Sequence, residues 1–421
     1  MLKRTVVLSC VTALATLSLA CAPAGMPVNL ADLARLDIQG AKSLVLAGHG
    51  TNQYRVANGG PQGTTLYKLT ASEQLEPVSA YGIRGDALGS GAAGIKTLLP
   101  INRNFVFVGS DWGGHLIRLS DGKAVRVSDP SYSGQPGSRS AQVDGQGNLF
   151  VLSQYTLYKV QIPSPDKPDQ VTKTALTHEA VEEANRFIVD RSGLVVAETR
   201  LKSNRPEGTT RLFKPSGGVA PFPAYSLHNA WVGTNGKLYT GLEMLSLGAD
   251  GQAILTPVTE AAPDPDNLLA MPYMSSFHHH GQLDDRDVFG NAQMYTPPGE
   301  SAPKASLHFI KDLEHRVVHL KTLSSIDSLA AARQTVYAIG NHGGSETRLV
   351  SYNASTGTER ILFDDSNYLL LKVMVGLDET VSLSALRLSD NTYVLGRLNS
   401  DGQLSVINSE LPPVQQILTL E

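Results

Sequence analysis

The sequence predicts an all-β chain folded as a β-propeller of eight four-stranded blades, with seven as the alternative count, closed by its C-terminal strand. Three observations predict it: β-prone runs that recur at a near-constant spacing, Gly- and Asn-rich turn chemistry before those runs, and a composition suited to short strands. With 41% hydrophobic residues the 421-residue chain can bury a substantial core, and 39 Gly with only 18% charged residues points to many tight turns.

The recurring runs begin near positions 44, 105, 149, 194, 238, 292, 336 and 381, among them Phe105-Val106-Phe107-Val108, Leu149-Phe150-Val151-Leu152 and Val336-Tyr337-Ala338-Ile339. The steps are 61, 44, 45, 44, 54, 44 and 45, so five of seven fall on one period. Asp144-Gly145-Gln146-Gly147-Asn148, Asp190-Arg191-Ser192-Gly193 and Thr234-Asn235-Gly236 place Gly or Asn just ahead of a run, where a tight hairpin needs positive φ. Each run is followed by a second strand with one solvated position, such as Leu116-Ile117-Arg118-Leu119 or Leu157-Tyr158-Lys159-Val160, and then by an outer strand such as 124–127, 360–363 or 404–407. An inner strand before each turn (95–100, 186–189, 230–232, 369–375) completes four strands, a to d, in about 44 residues. That is the unit of a propeller blade.

One more step past 381 lands just beyond Glu421, so the segment 414–420 occupies the place of an inner strand with no outer strands behind it. It is expected to pair with the first b strand at Leu44 and close the ring; residues 34–38 are the competing source of that strand. The expected organisation is a signal peptide over 1–20, an N-terminal tether over 21–40 and one propeller domain over 41–421.

The leader carries Lys3 and Arg4 ahead of the apolar run 5–20, short for a membrane span and right for a signal-peptide core. The run ends in Leu17-Ser18-Leu19-Ala20-Cys21, which resembles the lipobox of bacterial lipoproteins, with Leu four places before the cysteine where that family usually has it three before. The resemblance implies lipidation of Cys21, a palmitate-type acyl anchor, and, with Ala22 rather than Asp after the cysteine, attachment to the outer membrane. Simple secretion with cleavage after Ala24 is the alternative. Cys10 and Cys21 are the two cysteines of the chain, so the mature part has no thiol for a disulfide or for nucleophilic catalysis. Removing Lys3 and Arg4 leaves 33 basic against 39 acidic groups, which fits neither nucleic-acid binding nor charge-driven membrane recruitment.

In a propeller the b–c and d–a connections share one face. The b–c connections would carry His49, then Asp111, Trp112 and His115, then His342, each beside Gly; His228 opens an inner strand and belongs to the same face. These are the ligand-binding candidates, since loops on a rigid scaffold are favoured functional positions. Solvated turn histidines and a Trp112 that caps a blade edge are the plain alternative.

His278-His279-His280 followed by Asp284, Asp285 and Asp287 offers imidazole and carboxylate, the ligand set for a divalent metal. Adjacent strand residues point to opposite faces, so only His278 and His280 with Asp284 or Asp287 could converge, and a polar loop is the competing reading. Aligning Asp287 with Asp144 starts the second strand of this unit near 292 and sets the histidines on the His49 and His342 face. Starting it near Val288 sends them to the opposite face. The first register keeps the 44-residue step to Val336 and is the expectation.

There is no CxxCH for haem, no GxSxG elbow, no P-loop and no G-x-G-x-x-G opening a helix. The carboxylates Glu179, Glu182 and Glu183 read as a solvated connection. The units at 106–127 and 336–362 resemble repeats of PQQ-binding-like and YVTN-like propellers, each with strand, Gly-rich connection, strand and Thr-Gly or Asp-Gly. With Trp112 and Trp231 the only tryptophans, the docking Trp of most quinoprotein blades is missing. The expected function is a monomeric, lipid-anchored binding or scaffold protein that takes a protein, peptide or glycan ligand on the loop-rich face. The alternative is a metal-assisted lyase or hydrolase using histidines on that face.

Overall fold

A computed structural model describes residues 35–48, 64–78, 80–81, 95–110, 113–129, 141–167, 170–177, 182–201, 209–222, 227, 230–260, 277–296, 303–342, 346–376, 378–409 and 411–420. They build eight antiparallel blades. Blade 1 runs, from the axis outward, through Val414–Thr419, Ala41–Gly48, Thr64–Thr70 and Leu75–Pro77. Blade 2 is Ile95–Asn102, Phe105–Ser110, Gly113–Arg118 and Ala124–Ser128. Blade 3 is Ala141–Val143, Leu149–Ser153, Thr156–Gln161 and Thr172–Ala175, and blade 4 is Glu182–Val189, Val195–Leu201, Thr209–Phe213 and Val219–Phe222. Blade 5 is Ala230–Val232, Leu238–Thr240, Glu243–Leu247 and Ala253–Pro257. Blade 6 is Phe277–Gln282, Asp287–Tyr295, Lys304–Lys311 and Glu314–His319, with Thr259–Glu260 added parallel to its outer edge. Blade 7 is Ser328–Ala332, Thr335–Asn341, Thr347–Asn353 and Thr358–Phe363; blade 8 is Tyr368–Val375, Val381–Arg387, Thr392–Leu398 and Leu404–Asn408.

Eight blades and the C-terminal closure are as the spacing predicts. Leu44 pairs with Leu418 and Val45 with Ile417, so the last strand becomes the inner strand of the first blade. The competing segment at 34–38 does something else: Arg35–Leu36 pairs with Ala80–Tyr81, and Leu36 N–H donates to Gly122 O at the c–d turn of blade 2. Gly122 sits at φ 73°, and a Cβ there would come within 1.9 Å of Leu36 O. Only glycine meets both demands.

The core is a ring of seams. Because strand side chains alternate, each blade shows one apolar row to each neighbour. Val106 and Val108 pack towards blade 1 with Leu44, Leu46 and Leu66, while Phe105 and Phe107 pack towards blade 3 with Leu149 and Val151. Each of the eight seams has such a cluster, and the last joins Leu395 and Leu411 to Val45, Ala47 and Val414.

Polar groups reinforce the seams from the inner and second strands. Ser328 Oγ accepts from Val373 N, Ser384 Oγ from Val414 N, and Gln142 bonds both Phe187 O and Val189 N. The a–b turns also interlock along one face. Gly145 N donates to Arg191 O at 2.9 Å, Arg191 N to Gly236 O at 3.0 Å, and Asp284 N to Arg333 O at 2.8 Å. Arg333 then pairs with Glu379 in the turn of blade 8.

Blade 6 departs from the expected register. Its second strand begins at Asp287, not near 292, and the preceding turn is 283–286. The match to the Asp144 turn fails for physical reasons. Asp144 caps its own turn, accepting from Gln146 N and Asn148 N, whereas Asp287 reaches the neighbouring turn and accepts from Thr234 N at 2.8 Å. Gly290 is not a turn residue; it lies in the strand opposite Leu307, and a Cβ there would meet the Ile326 side chain at 2.9 Å. His279 and His280 therefore sit near the a–b end of the inner strand, on the face opposite to His342.

Candidate functional site

Two places bear on function: the face reached by the b–c and d–a connections, and the seam between blades 5 and 6. On the first, the b strands end at Gly48, Ser110 and Asn341, which sets those strand ends on one face. His342 is exposed there. His49, Asp111, Trp112 and His228 lie outside the described residues, as does Cys21 with the whole leader. His115 is described and is buried in strand Gly113–Arg118, opposite Val108. Burial, aided by Arg126, lowers its pKa to about 4, so its ring is neutral at physiological pH.

On the opposite face the register of blade 6 brings together two of the four metal candidates. His280 Nε2 lies 2.9 Å from Asp287 Oδ1. Asp287 is buried and also takes Thr234 N–H on Oδ2 and Gln282 Nε2 on Oδ1. The His280 ring stacks on Phe289 with centroids 4.6 Å apart and meets the edge of Trp231, which itself stacks on Tyr239 at 4.0 Å. With Nε2–H donated to the carboxylate, Nδ1 is the atom left to accept a proton, so the pair has the geometry of an oriented acid–base group. Asp284 is exposed and turned to blade 7 through its N–H, and the side chain of His278 lies outside the described residues. Among the described residues no group of three or more His, Cys, Asp or Glu is placed to hold a metal ion.

The seam holds a second cluster that the motif search missed. His308 and His315 are buried, with His308 Nδ1 3.1 Å from His315 Nε2 and the rings stacked at 5.3 Å. His319 Nδ1 lies 2.9 Å from Ser306 Oγ. Burial lowers the pKa of His308 to about 3, helped by the neighbouring His315 and His319, and that of His315 to about 4. The signal was in the sequence: around a hairpin tip at Asp312, positions 306 and 319, 308 and 317, and 310 and 315 pair, which sets all three histidines on one side.

No protein-family model and no curated protein matches this chain. Among solved structures, the propeller domain of the Trilobed protease from Pyrococcus furiosus is 8% identical with a TM-score of 0.38, covering 75% of this chain and 98% of its own. A putative TolB from Agrobacterium tumefaciens is 9% identical with a TM-score of 0.29, covering 66% and 82%. An oligogalacturonate lyase in complex with manganese is 11% identical with a TM-score of 0.41, covering 90% and 98%. These are likenesses of fold class and carry no argument about residues.

Proposed function

We propose that the protein is an exported propeller, lipid-anchored through Cys21 at the outer membrane, that binds a protein, peptide or glycan ligand on the face reached by the b–c and d–a connections. One observation supports this most directly: the two faces differ in connection length. On the a–b side the links are short, as at 103–104, 144–148, 283–286 and 333–334, and several bond to a neighbouring turn. On the other side the strand ends are joined by 49–63, 82–94, 130–140, 202–208 and 261–276. A rigid ring with short, interlocked turns on one face and long segments on the other has the form of a recognition scaffold.

The test is a glycan array and a random-peptide panel probed with residues 22–421. One ligand class should be enriched, and replacing 49–63 with Gly-Ser-Gly should abolish binding while thermal unfolding stays unchanged. Absence of any enrichment, or binding indifferent to loop replacement, overturns the reading. Incorporation of labelled palmitate that is lost in Cys21→Ser checks the anchor separately.

The pairing of His280 with Asp287 supports a second reading, a lyase or hydrolase using that pair, with His278 and Asp284 as further ligands if a divalent metal takes part. One equivalent of metal in the purified protein, lost in His280→Ala, supports it. Metal-free protein without hydrolytic activity on acyl, glycosyl or uronate substrates removes it.

A further inference from the structure

A cavity of about 400 Å³ opens on the a–b face where blades 8, 1 and 2 meet, and the closing strand Val414–Thr419 runs through it. Its walls come from both seams of that strand: Ile417 with Leu395 and Met374 on the blade 8 side, Leu418 with Val106 on the blade 2 side. The chain is apolar here because each of these residues belongs to an inward row of its strand. The mouth is different.

Lys42, Arg103 and Arg397 line the cavity with Asp378 as the one carboxylate in its wall. Arg397 is held by Glu73 through Nη1 at 2.6 Å, yet its Nε is buried with no hydrogen-bond partner among the described residues. Asp378 Oδ1 accepts from Thr380 N and feels the charge of Lys42. Arg103, at the tip of the a–b turn of blade 2, is exposed and makes no ion pair or side-chain hydrogen bond with any described residue. Three cations against Asp378 and Glu73 leave one positive charge over an apolar chamber. The volume falls in the range of small-molecule sites, about 300 to 1,000 Å³.

We propose that this cavity is a binding site for an amphipathic anion, a single carboxylate or phosphate head on an apolar tail. The head sits between Arg103 and Lys42, and the tail lies against Met374, Ile407 and Ile417. Arg103 supplies a planar pair of donors that matches a carboxylate or phosphate edge. A ligand held there touches three consecutive blades and binds the closed ring but not an opened one. Occupancy therefore stabilises the closure by mass action.

The probes are sodium decanoate and decyl phosphate, with decanol as the uncharged control and phosphatidylglycerol vesicles as the membrane source of the same chemistry. Residues 22–421 should show a thermal midpoint that rises with decanoate or decyl phosphate and not with decanol. Arg103→Ala should weaken binding about tenfold while keeping the ligand-free midpoint, because its side chain holds no described group, and Lys42→Ala should weaken binding by less. Co-sedimentation with the vesicles that is lost in Arg103→Ala supports the same site with a lipid as its ligand; saturable binding of the soluble anions alone supports a free amphiphile. An equal response to decanol, an unchanged affinity in Arg103→Ala, or no response to any anionic probe overturns the proposal.

Discussion

The seam between blades 5 and 6 and the seam where blade 8 meets blade 1 solve the same problem with different means. At the first, the chain is continuous, and the contact is built from aromatics and buried polar groups: Trp231, Tyr239 and Phe289 beside Asp287, His308 and His315. At the second, two distant parts of the chain meet: the closing strand joins the sheet of blade 1 and packs an aliphatic row against blade 8. A polar seam is specific but charges a penalty whenever one partner is lost, because desolvated groups are left unmatched. A sheet seam is held by a ladder and tolerates empty space, and there the cavity is found. Function that needs room belongs at the second kind of seam; positional precision belongs at the first.

The largest effect separates the two at once. Deleting 414–420 removes the inner strand of blade 1 and uncovers Val45 and Ala47, so the truncated chain should lose cooperative unfolding by circular dichroism. A truncated chain that melts like the intact one would show that the ladder does not hold the ring. Acid should act on the other seam. His308 and His315 have pKa values of about 3 and about 4, below the 6.5 of an unfolded histidine. The unfolded chain therefore takes up protons first as pH falls. Stability is full above about pH 6.5 and declines towards pH 4, by on the order of 3 kcal/mol per histidine. Urea midpoints at pH 7 and 4.5 measure this. The double variant His308→Leu with His315→Leu should remove about two thirds of the decline, buried His115 in blade 2 carrying the rest, and an unchanged slope would relocate the acid sensitivity.

Asp287→Ala strips the acceptor from Thr234 N, His280 and Gln282 and should cost about 2–4 kcal/mol in urea unfolding. Its counterpart where the N-terminal segment meets blade 2 is Gly122→Ala, which forces a Cβ onto Leu36 O and should cost about 1–3 kcal/mol, with protease cutting before Ile38 becoming faster. The smallest effect is expected from Glu73→Gln. Its pairing with Arg397 joins blades 1 and 8 at a half-exposed site, and such pairs contribute under about 1 kcal/mol.

The period of the ring was legible in the residues because hairpin chemistry recurs with the blade: Asp144 and Asp190 cap the same turn 46 positions apart and are read directly. The closure was legible because the spacing leaves 414–420 as a single strand with no outer strands behind it, and the first blade lacks one. Blade 6 misled because Asp287, Gly290 and Asn291 imitate that turn while serving two neighbouring blades. Of the candidate site, His342 and the pairing of His280 with Asp287 lie where a sequence argument can be checked. His115 reads as a loop histidine beside Gly113 and Gly114, yet it is a strand residue turned into the core. The cavity could not be read at all, because Lys42, Arg103, Arg397 and Ile417 share no motif and meet only once the ring closes.

That closure has a consequence for how the molecule comes into being. Gln415 reaches Gly48 across 367 positions of chain. Joining the ends of so long a loop costs about 5 kcal/mol of chain entropy beyond the constant for starting it, and contacts this distant form slowly. Seven blades must consequently assemble from their own local hairpins before the eighth join adds anything. Until the final strand arrives the first blade stands with an open edge, so the ring gains its last seam only when the C-terminal strand is in place.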